Sequence, residues 1–304
     1  MFKKISIPSS FSFHRKGKIY LLIKDEYRDA LLQERVEDLE NFLKRHHQGI
    51  RYLNGRTAHP SIPIKSGERI ILRQYSHGGL LRAFTRNLYL FGSRSFQELS
   101  LTEKIRSSGI PTIQPICAIH QLFVFPLYHA YLLSLEITHA VNLIQYLKGM
   151  GSHPSRETLL LKRKTIRSAA LLLQKFHREG FFHGDLQLKN ILVSGDQVLL
   201  IDFDRSYRKP ILSIREKMKN LLRLNRSAEK WRGLGLPITR TDCWRFFSTY
   251  AEGDQKIKET MKKALRTYPL RSFFYRFGWA LEELVKSLEF GVQSKKSKIN
   301  TPNS

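Results

Sequence analysis

The chain of 304 residues is 41% apolar and 11% aromatic, with 19 Phe, so it can bury one large core or two lobes, and general disorder is excluded. Its two cysteines, Cys117 and Cys243, are too few for a disulfide framework, and no Cys/His pair has zinc-ligand spacing, which fits a reducing cytosol. Against 26 Asp and Glu stand 52 Lys and Arg, a formal charge of +26 that asks for phosphates as partners, on nucleic acid or on an anionic membrane leaflet.

In chain order, "MFKKISIPSSFSFHRKGK" is basic without a continuous apolar segment, so no secretory signal is expected. "EYRDALLQERVEDLENFLKRHH" sets Leu32, Val36, Leu39 and Leu43 at four- and three-residue spacings, which predicts one amphipathic helix near 27–47. "SIPIK" and "RIILRQY", joined by the turn "SGE", predict a strand pair. "SRSFQELSLTEKIRSSGIP" predicts a helix capped by Ser93 or Ser95 and closed by Gly109 and Pro111. "HQLFVFPLY" and "AYLLSLEI" read as two buried strands. The apolar patch they share is broken by Pro126 and His129 and is too short to span a bilayer. From about residue 141 the pattern turns helical. "ETLLLKRKTIRSAALLLQKFHREG" puts Ile166, Ala169, Leu173 and Phe176 on one stripe and stops at Gly180. "SIREKMKNLLRLNRSAEKW", "TDCWRFFSTYAE", "DQKIKETMKKALRTY" and "SFFYRFGWALEELVKSLEF" continue as helices, and "GVQSKKSKINTPNS" reads as a polar tail. Ten Lys and Arg against two Glu concentrate the positive charge in 205–232.

One stretch runs against that charge. "FFHGDLQLKNILVSGDQVLLIDFD" (181–204) collects Asp185, Asn190, Asp196, Asp202 and Asp204 in a loop, strand, turn and strand. Phosphoryl transfer from ATP needs a carboxylate to orient the attacking hydroxyl and hard oxygen ligands to hold Mg²⁺ on the phosphates. Asp185 sits on a loop within reach of a substrate hydroxyl. Asn190 follows five residues later with a neutral amide oxygen, and the return strand of the hairpin brings Asp202 back beside it. A charged Asp at the end of an apolar strand is costly unless a cation meets it. Asp196 reads as a turn residue, and Asp204 as either an aid to the metal site or a partner of Arg205.

"HGDLxxxN" followed by "IDFD" resembles the catalytic loop and metal-binding motif of the protein-kinase-like fold. The resemblance implies an α+β, two-lobed fold with a small antiparallel-sheet N-lobe carrying one helix and a larger helical C-lobe. It makes Asp185 the catalytic base and Asn190 and Asp202 the Mg²⁺ ligands. Gly184 and Gln187 stand where protein kinases carry Arg and Lys, as in small-molecule kinases. The fold also requires a cation on the third strand paired with a Glu on the next helix. Arg73 and Glu98 fill those places, with Lys65 and Glu103 as rivals. Arg73 is preferred because "SIPIK" then serves as the second strand; its planar fork can hold Glu98 and a phosphate together. Gly55 in "NGRTAHPS" is the one glycine of a degenerate phosphate-covering loop. The hinge falls near "LLSLEITHA", where backbone groups of Glu136 and Ile137 would meet the adenine edge. The implied division is an N-terminal extension over 1–50, an N-lobe over 51–138, a C-lobe over 139–290 and a flexible tail over 291–304.

Longer stretches resemble the bacterial lipopolysaccharide core kinases, the family of 3-deoxy-D-manno-octulosonic acid (Kdo) kinases and heptose kinases. They are "LRQYSHGGLLRAFTRNLYLF", "RSFQELSLTEKIRSSGIPTIQPI", "HREGFFHGDLQLKNILV", "VLLIDFDRS" and "NLLRLNRSAEK", in family order over about residues 53–250. The resemblance implies ATP-dependent, Mg²⁺-dependent phosphorylation of a Kdo hydroxyl on lipid A-linked core, at the cytoplasmic face of the inner membrane. Arg73 in place of Lys tilts the reading from heptose towards Kdo. The partners implied are the lipopolysaccharide precursor and an anionic membrane surface, with Arg205, Arg223, Arg226 and Lys230 as clamps for sugar carboxylate and phosphates. An aminoglycoside-type phosphotransferase fits poorly, because its cationic substrates need acidic pockets. A basic pseudokinase is opposed by the intact Asp185, Asn190 and Asp202. No nucleic-acid-binding signature accompanies the charge, so no specific nucleic acid is expected.

Overall fold

The structure is a computed structural model describing residues 5–53, 59–76, 87–151 and 153–266. Gly55, the Gly-Gly pair of "SHGG", the last predicted helix and the tail lie outside the described residues. The chain divides into two units, 1–252 and 253–304.

In the first unit, β1 (Phe11–Lys16) and β2 (Ile19–Lys24) form a hairpin across Gly17, whose φ of 56° suits a two-residue turn. Two short helices follow, α1 (Arg28–Gln33) and α2 (Leu39–Arg45). Next come β3 (Arg51–Leu53), β4 (His59–Pro63), β5 (Arg69–Gln74), β6 (Tyr89–Leu90) and α3 (Arg94–Ser107). The long strands β7 (Pro115–Val124) and β8 (Leu127–Leu135) complete an antiparallel sheet ordered β1-β2-β7-β8-β5-β4-β3, with β6 added on β8.

The described segment 11–45, expected to belong to an N-terminal extension, is therefore built into this lobe. β2 pairs with β7, placing Ile19 opposite Gln121 and Ile23 opposite Cys117. Alternate residues of the central strands feed two cores, as the pleat requires. Leu21, Ile23, Cys117, Ile119 and Leu133 pack with Leu31, Val36 and Phe42 on one face. Leu22, Ala118, Ala130 and Leu132 pack with Phe96 and Leu99 of α3 on the other. With both faces covered, "IYLLIK" shows no polar alternation, so its strand character does not stand out. The single helix predicted near 27–47 is also broken. Arg35 turns left-handed at φ 51°, and Asp38 caps α2 by accepting from Asn41 N–H. Pro126, read as part of a strand, lies in the β7–β8 turn, where its missing N–H costs no ladder bond.

The helical lobe opens with β9 (Val141–Asn142) and α4 (Leu143–Lys148), whose Asn142–Gln145 capping box fixes its start. The long helix α5 (Arg156–Arg178) buries Ile166, Ala169, Leu173 and Phe176 as predicted and ends before Gly180 at φ 80°. β10 (Phe181–Phe182), the hairpin β11 (Ile191–Ser194) and β12 (Gln197–Leu200), and β13 (Tyr207–Arg208) carry the acidic stretch. α6 (Ile214–Gly233) starts at a Ser213–Glu216 capping box, and α7 (Arg240–Tyr250) packs on α5. In the second unit, α8 (Gln255–Arg266) is the described element.

Candidate active site

Arg73 projects from β5 and holds both sides of the site. Its guanidinium donates to Glu98 Oε2 at 2.5 Å and to Asp202 Oδ1 at 2.8 Å, and it stacks over the Tyr75 ring. Glu98, on α3 and buried, also accepts from Tyr75 O–H at 2.6 Å and from Phe203 N–H at 3.1 Å. Burial raises the Glu98 carboxyl above its ordinary value, and Arg73 offsets part of that rise. Every charge in this buried cluster meets a counter-charge or a donor. Removing one partner would strand the rest at a cost of about 3–5 kcal/mol. The rivals lie elsewhere: Glu103 pairs with Arg106 on its own helix, and Lys65 follows β4, where its N–H donates to Glu34.

Asp202 follows β12 with φ 66°, a left-handed conformation that aspartate tolerates better than most residues. Burial raises its carboxyl, but Arg73, then His183 and Lys189, bring it below the ordinary carboxylate value. Asn190 ends the short turn Leu188–Asn190. Its side-chain Nδ2 donates to Asp185 C=O at 2.8 Å, and its own C=O accepts from Ile201 N–H at 3.0 Å. These bonds lock the loop of Asp185 to the strand that leads into Asp202.

Asp185 is 43% exposed on its side chain, open enough for a substrate to reach. Oδ2 accepts from Gln187 Nε2 at 2.6 Å and lies 3.7 Å from Lys189 Nζ; Oδ1 lies 3.3 Å from Arg223. Behind it His183 is fully buried. Asp185 N–H donates to its Nδ1 and its Nε2–H donates to Ile201 C=O, each at 3.1 Å, which sets the neutral tautomer. Burial pushes this imidazole down to about 4. Gly184 has its own steric reason. A Cβ there would lie 2.7 Å from the Arg205 carbonyl carbon, and its N–H donates to Ser206 Oγ.

The segment "NLLRLNRSAEK" on α6 proves to be a support for this loop. Asn220 accepts from His183 N–H at 3.1 Å, donates to His183 C=O at 2.8 Å, and accepts from His177 Nε2 at 3.0 Å. Arg223 donates to Gly184 C=O, and Ser227 Oγ accepts from Leu188 N–H. The three residues stand at i, i+3 and i+7, one face of the helix. Arg223 thus lies beside Asp185, while Arg226 and Lys230 are half-buried on the same helix and Arg205 is highly exposed.

One expectation shifts: Asp204 is held by Arg94 at the start of α3, with Arg205 only at 4.0 Å. The Glu136 side chain pairs with Arg69 at 3.1 Å and accepts from Ser61. Its N–H donates to Arg69 C=O, and Ile137 C=O accepts from Ala140 N–H. Asp196 lies in the turn of β11–β12, paired with Lys164. Sequence reasoning missed Lys189, Asn220 and Arg94. The first two carried signals: Lys189 stands one turn after Asp185, and Asn220 opens the quoted motif.

Comparison with known proteins supplies the family. A family model described as "Lipopolysaccharide kinase (Kdo/WaaP) family" matches residues 40–250. The chain is 33% identical over 166 residues to the 3-deoxy-D-manno-octulosonic acid kinase of Vibrio vulnificus (strain YJ016), covering 53% of this chain and 65% of that protein. It is 33% identical over 172 residues to the enzyme of that name from Pasteurella multocida (strain Pm70), covering 54% and 67%. For Xylella fastidiosa (strain M12) the figures are 32% over 169 residues, 54% and 63%. The matched segment thus spans about two thirds of the length of these relatives. A solved structure, "WaaP in complex with acyl carrier protein", shares the fold at a TM-score of 0.50 and 17% identity, over 81% of this chain and 98% of that one. With the model covering more than half of its length, the chain belongs to the lipopolysaccharide kinase (Kdo/WaaP) family.

Proposed function

We propose that the protein transfers the terminal phosphoryl group of ATP to a hydroxyl of a Kdo sugar on lipid A-linked lipopolysaccharide core. One observation carries the reading: Arg73 from the sheet and Asp202 from the end of β12 meet at 2.8 Å, beside the loop bearing Asp185 and Asn190. The relatives named as Kdo kinases support the choice of acceptor.

In this reading Asp185 orients the acceptor hydroxyl and accepts its proton as the new phosphate ester forms. Gln187 and Arg223 hold the carboxylate in place. Lys189 is within reach of Asp185 and lowers the Asp202 carboxyl, so it stands beside the path of the phosphoryl group. It supplies the cation that Gln187 does not. The donor set fits magnesium, which takes one or two protein oxygens and leaves the rest of its shell to phosphate and water. Asn190 commits its amide nitrogen to Asp185 C=O and so presents Oδ1; Asp202 commits Oδ1 to Arg73 and leaves Oδ2. Bound Mg²⁺ would neutralise charge on the phosphates. Arg73 Nε is buried without a hydrogen-bond partner among the described residues, a donor suited to a phosphate oxygen. Glu136 C=O and Ile137 N–H are the groups left for the adenine edge, and Gly55 would belong to the loop over the phosphates. Arg205, Arg226 and Lys230 would meet acceptor anions. We place the hinge at 136–140 and the enzyme on the cytoplasmic face of the inner membrane. Among the described residues no helix is long and apolar enough to cross a membrane.

The test is incubation with ATP, Mg²⁺ and either Kdo-lipid A or its heptosylated derivative, with product mass as readout. A single phosphate added to Kdo-lipid A is expected. Phosphate on the heptosylated acceptor alone would move the assignment to heptose, and no transfer to either would reject it.

A further inference from the structure

The β7–β8 hairpin ends in an apolar tip. Phe123, Val124 and Phe125 are 56%, 59% and 70% exposed, and β6 brings Leu90 and Phe91 alongside at 62% and 67%. Leu90 pairs with Leu127, and Phe91 N–H donates to Pro126 C=O. Scattered apolar residues on a surface need no explanation, but five large ones in contiguous backbone do. Two local features hold them outward. A register shift between Leu122 and Val124 makes Phe123 the extra residue of a bulge, a device that re-aims a side chain. Phe91 has φ 52°, an unfavourable conformation for a bulky residue. Core packing is left to their neighbours Tyr89 and Tyr128.

The segments that form and flank the tip carry charges of one sign. The adjacent β1–β2 turn reads Arg15-Lys16-Gly17-Lys18, and Leu122 N–H donates to Lys18 C=O at 2.9 Å. Segments 13–19, 89–94 and 121–131 contain Arg15, Lys16, Lys18 and Arg94 and no Asp or Glu. Lys16 is paired with Glu37 and Arg94 with Asp204, while Arg15 stacks over Tyr20 at the exposed turn. Aromatic side chains that enter the headgroup–acyl boundary, rimmed by cations that meet lipid phosphates, fit an anionic bilayer. A second copy of the same surface would set like charges against each other.

We propose that this tip, Leu90, Phe91 and Phe123–Phe125 with Arg15 and Lys18, is the surface by which the protein docks on an anionic lipid bilayer. The docked edge continues through Gly92 and Ser93 into α3, which carries Glu98 to Arg73. Its use in presenting the site to a lipid-linked acceptor rests on the kinase reading; the binding itself does not.

The full chain, without nucleotide, is sedimented with vesicles of phosphatidylcholine alone or mixed with phosphatidylglycerol. Binding is expected to the mixed vesicles and to weaken with salt. The double substitution Phe123→Ser/Phe125→Ser should lower partitioning by more than about tenfold. Arg15→Gln and Lys18→Gln should each lower it about fivefold. All three variants should keep wild-type circular dichroism and wild-type transfer to a soluble Kdo acceptor. Phe123→Trp should show blue-shifted emission on the vesicles and quenching by brominated lipid. Undiminished binding of the serine pair, or Trp emission that ignores the vesicles while the protein pellets, would overturn the proposal. So would lipid-free self-association that the serine pair abolishes. Vesicle binding without any phosphoryl transfer by the wild type would sink the kinase reading and leave the docking surface standing.

Discussion

Replacing Asn220 by Leu tests whether α6 holds the Asp185 loop. Asn220 is 1% exposed and leaves three buried groups without partners when removed: His183 N–H, His183 C=O and His177 Nε2–H. A buried polar group without its partner costs about 1–3 kcal/mol. With some relaxation the sum is about 3–6 kcal/mol, against total stabilities of about 5–15 kcal/mol. His183 also receives Asp185 N–H, so the loosened loop should lower kcat more than it changes ATP affinity. Urea denaturation of the variant, beside an Arg215→Leu control on the exposed face of the same helix, measures the first effect. The control should stay within about 0.5 kcal/mol of wild type. A loss below about 1 kcal/mol for Asn220→Leu, with kcat unchanged, would refute the reasoning.

Two other outcomes are expected. Lys189→Met should reduce kcat by about a hundredfold while ATP binding holds, and Lys189→Arg should recover part of the loss; a fall in ATP affinity alone would move Lys189 out of the transfer step. Burial lowers both His177 and His183 from 6.5 to about 4, so between those values the unfolded chain binds more protons than the folded one. Stability from these groups is therefore present above pH 6.5 and lost as pH falls towards 4, by about 2 kcal/mol each at pH 5 as an upper bound. A stability profile that stays flat between pH 7 and 5 would contradict the neutral, buried placement.

The parts of the site legible in the sequence are those set by local spacing. The five-residue step from Asp185 to Asn190 and the short hairpin to Asp202 leave the chain few ways to fold, and Arg73 and Glu98 fill the strand and helix places that the kinase-fold resemblance implies. What stayed hidden depends on distant pairing. β2 meets β7 almost a hundred residues away, and its uniform burial removes the alternation that marks a half-exposed strand. Asn220 looks like any polar helix residue until the fold sets it against His183. Arg94 claims Asp204 from across the site, a pairing no local pattern announces. The break between α1 and α2 comes from acidic side chains used inward: Glu34 and Glu37 are buried, and Asp38 caps the second helix.

The central claim is a division of labour, with Arg73, Asp202 and Asn190 holding the magnesium nucleotide and Asp185 serving the acceptor. It is tested most directly by measuring ATP affinity with and without Mg²⁺, alongside transfer to Kdo-lipid A, in wild type, Asp202→Asn and Asp185→Asn. The account predicts that Asp202→Asn loses the metal-dependent part of ATP binding, and that Asp185→Asn binds ATP like wild type yet transfers nothing. Metal-dependent binding preserved in Asp202→Asn, or normal transfer by Asp185→Asn, would contradict it.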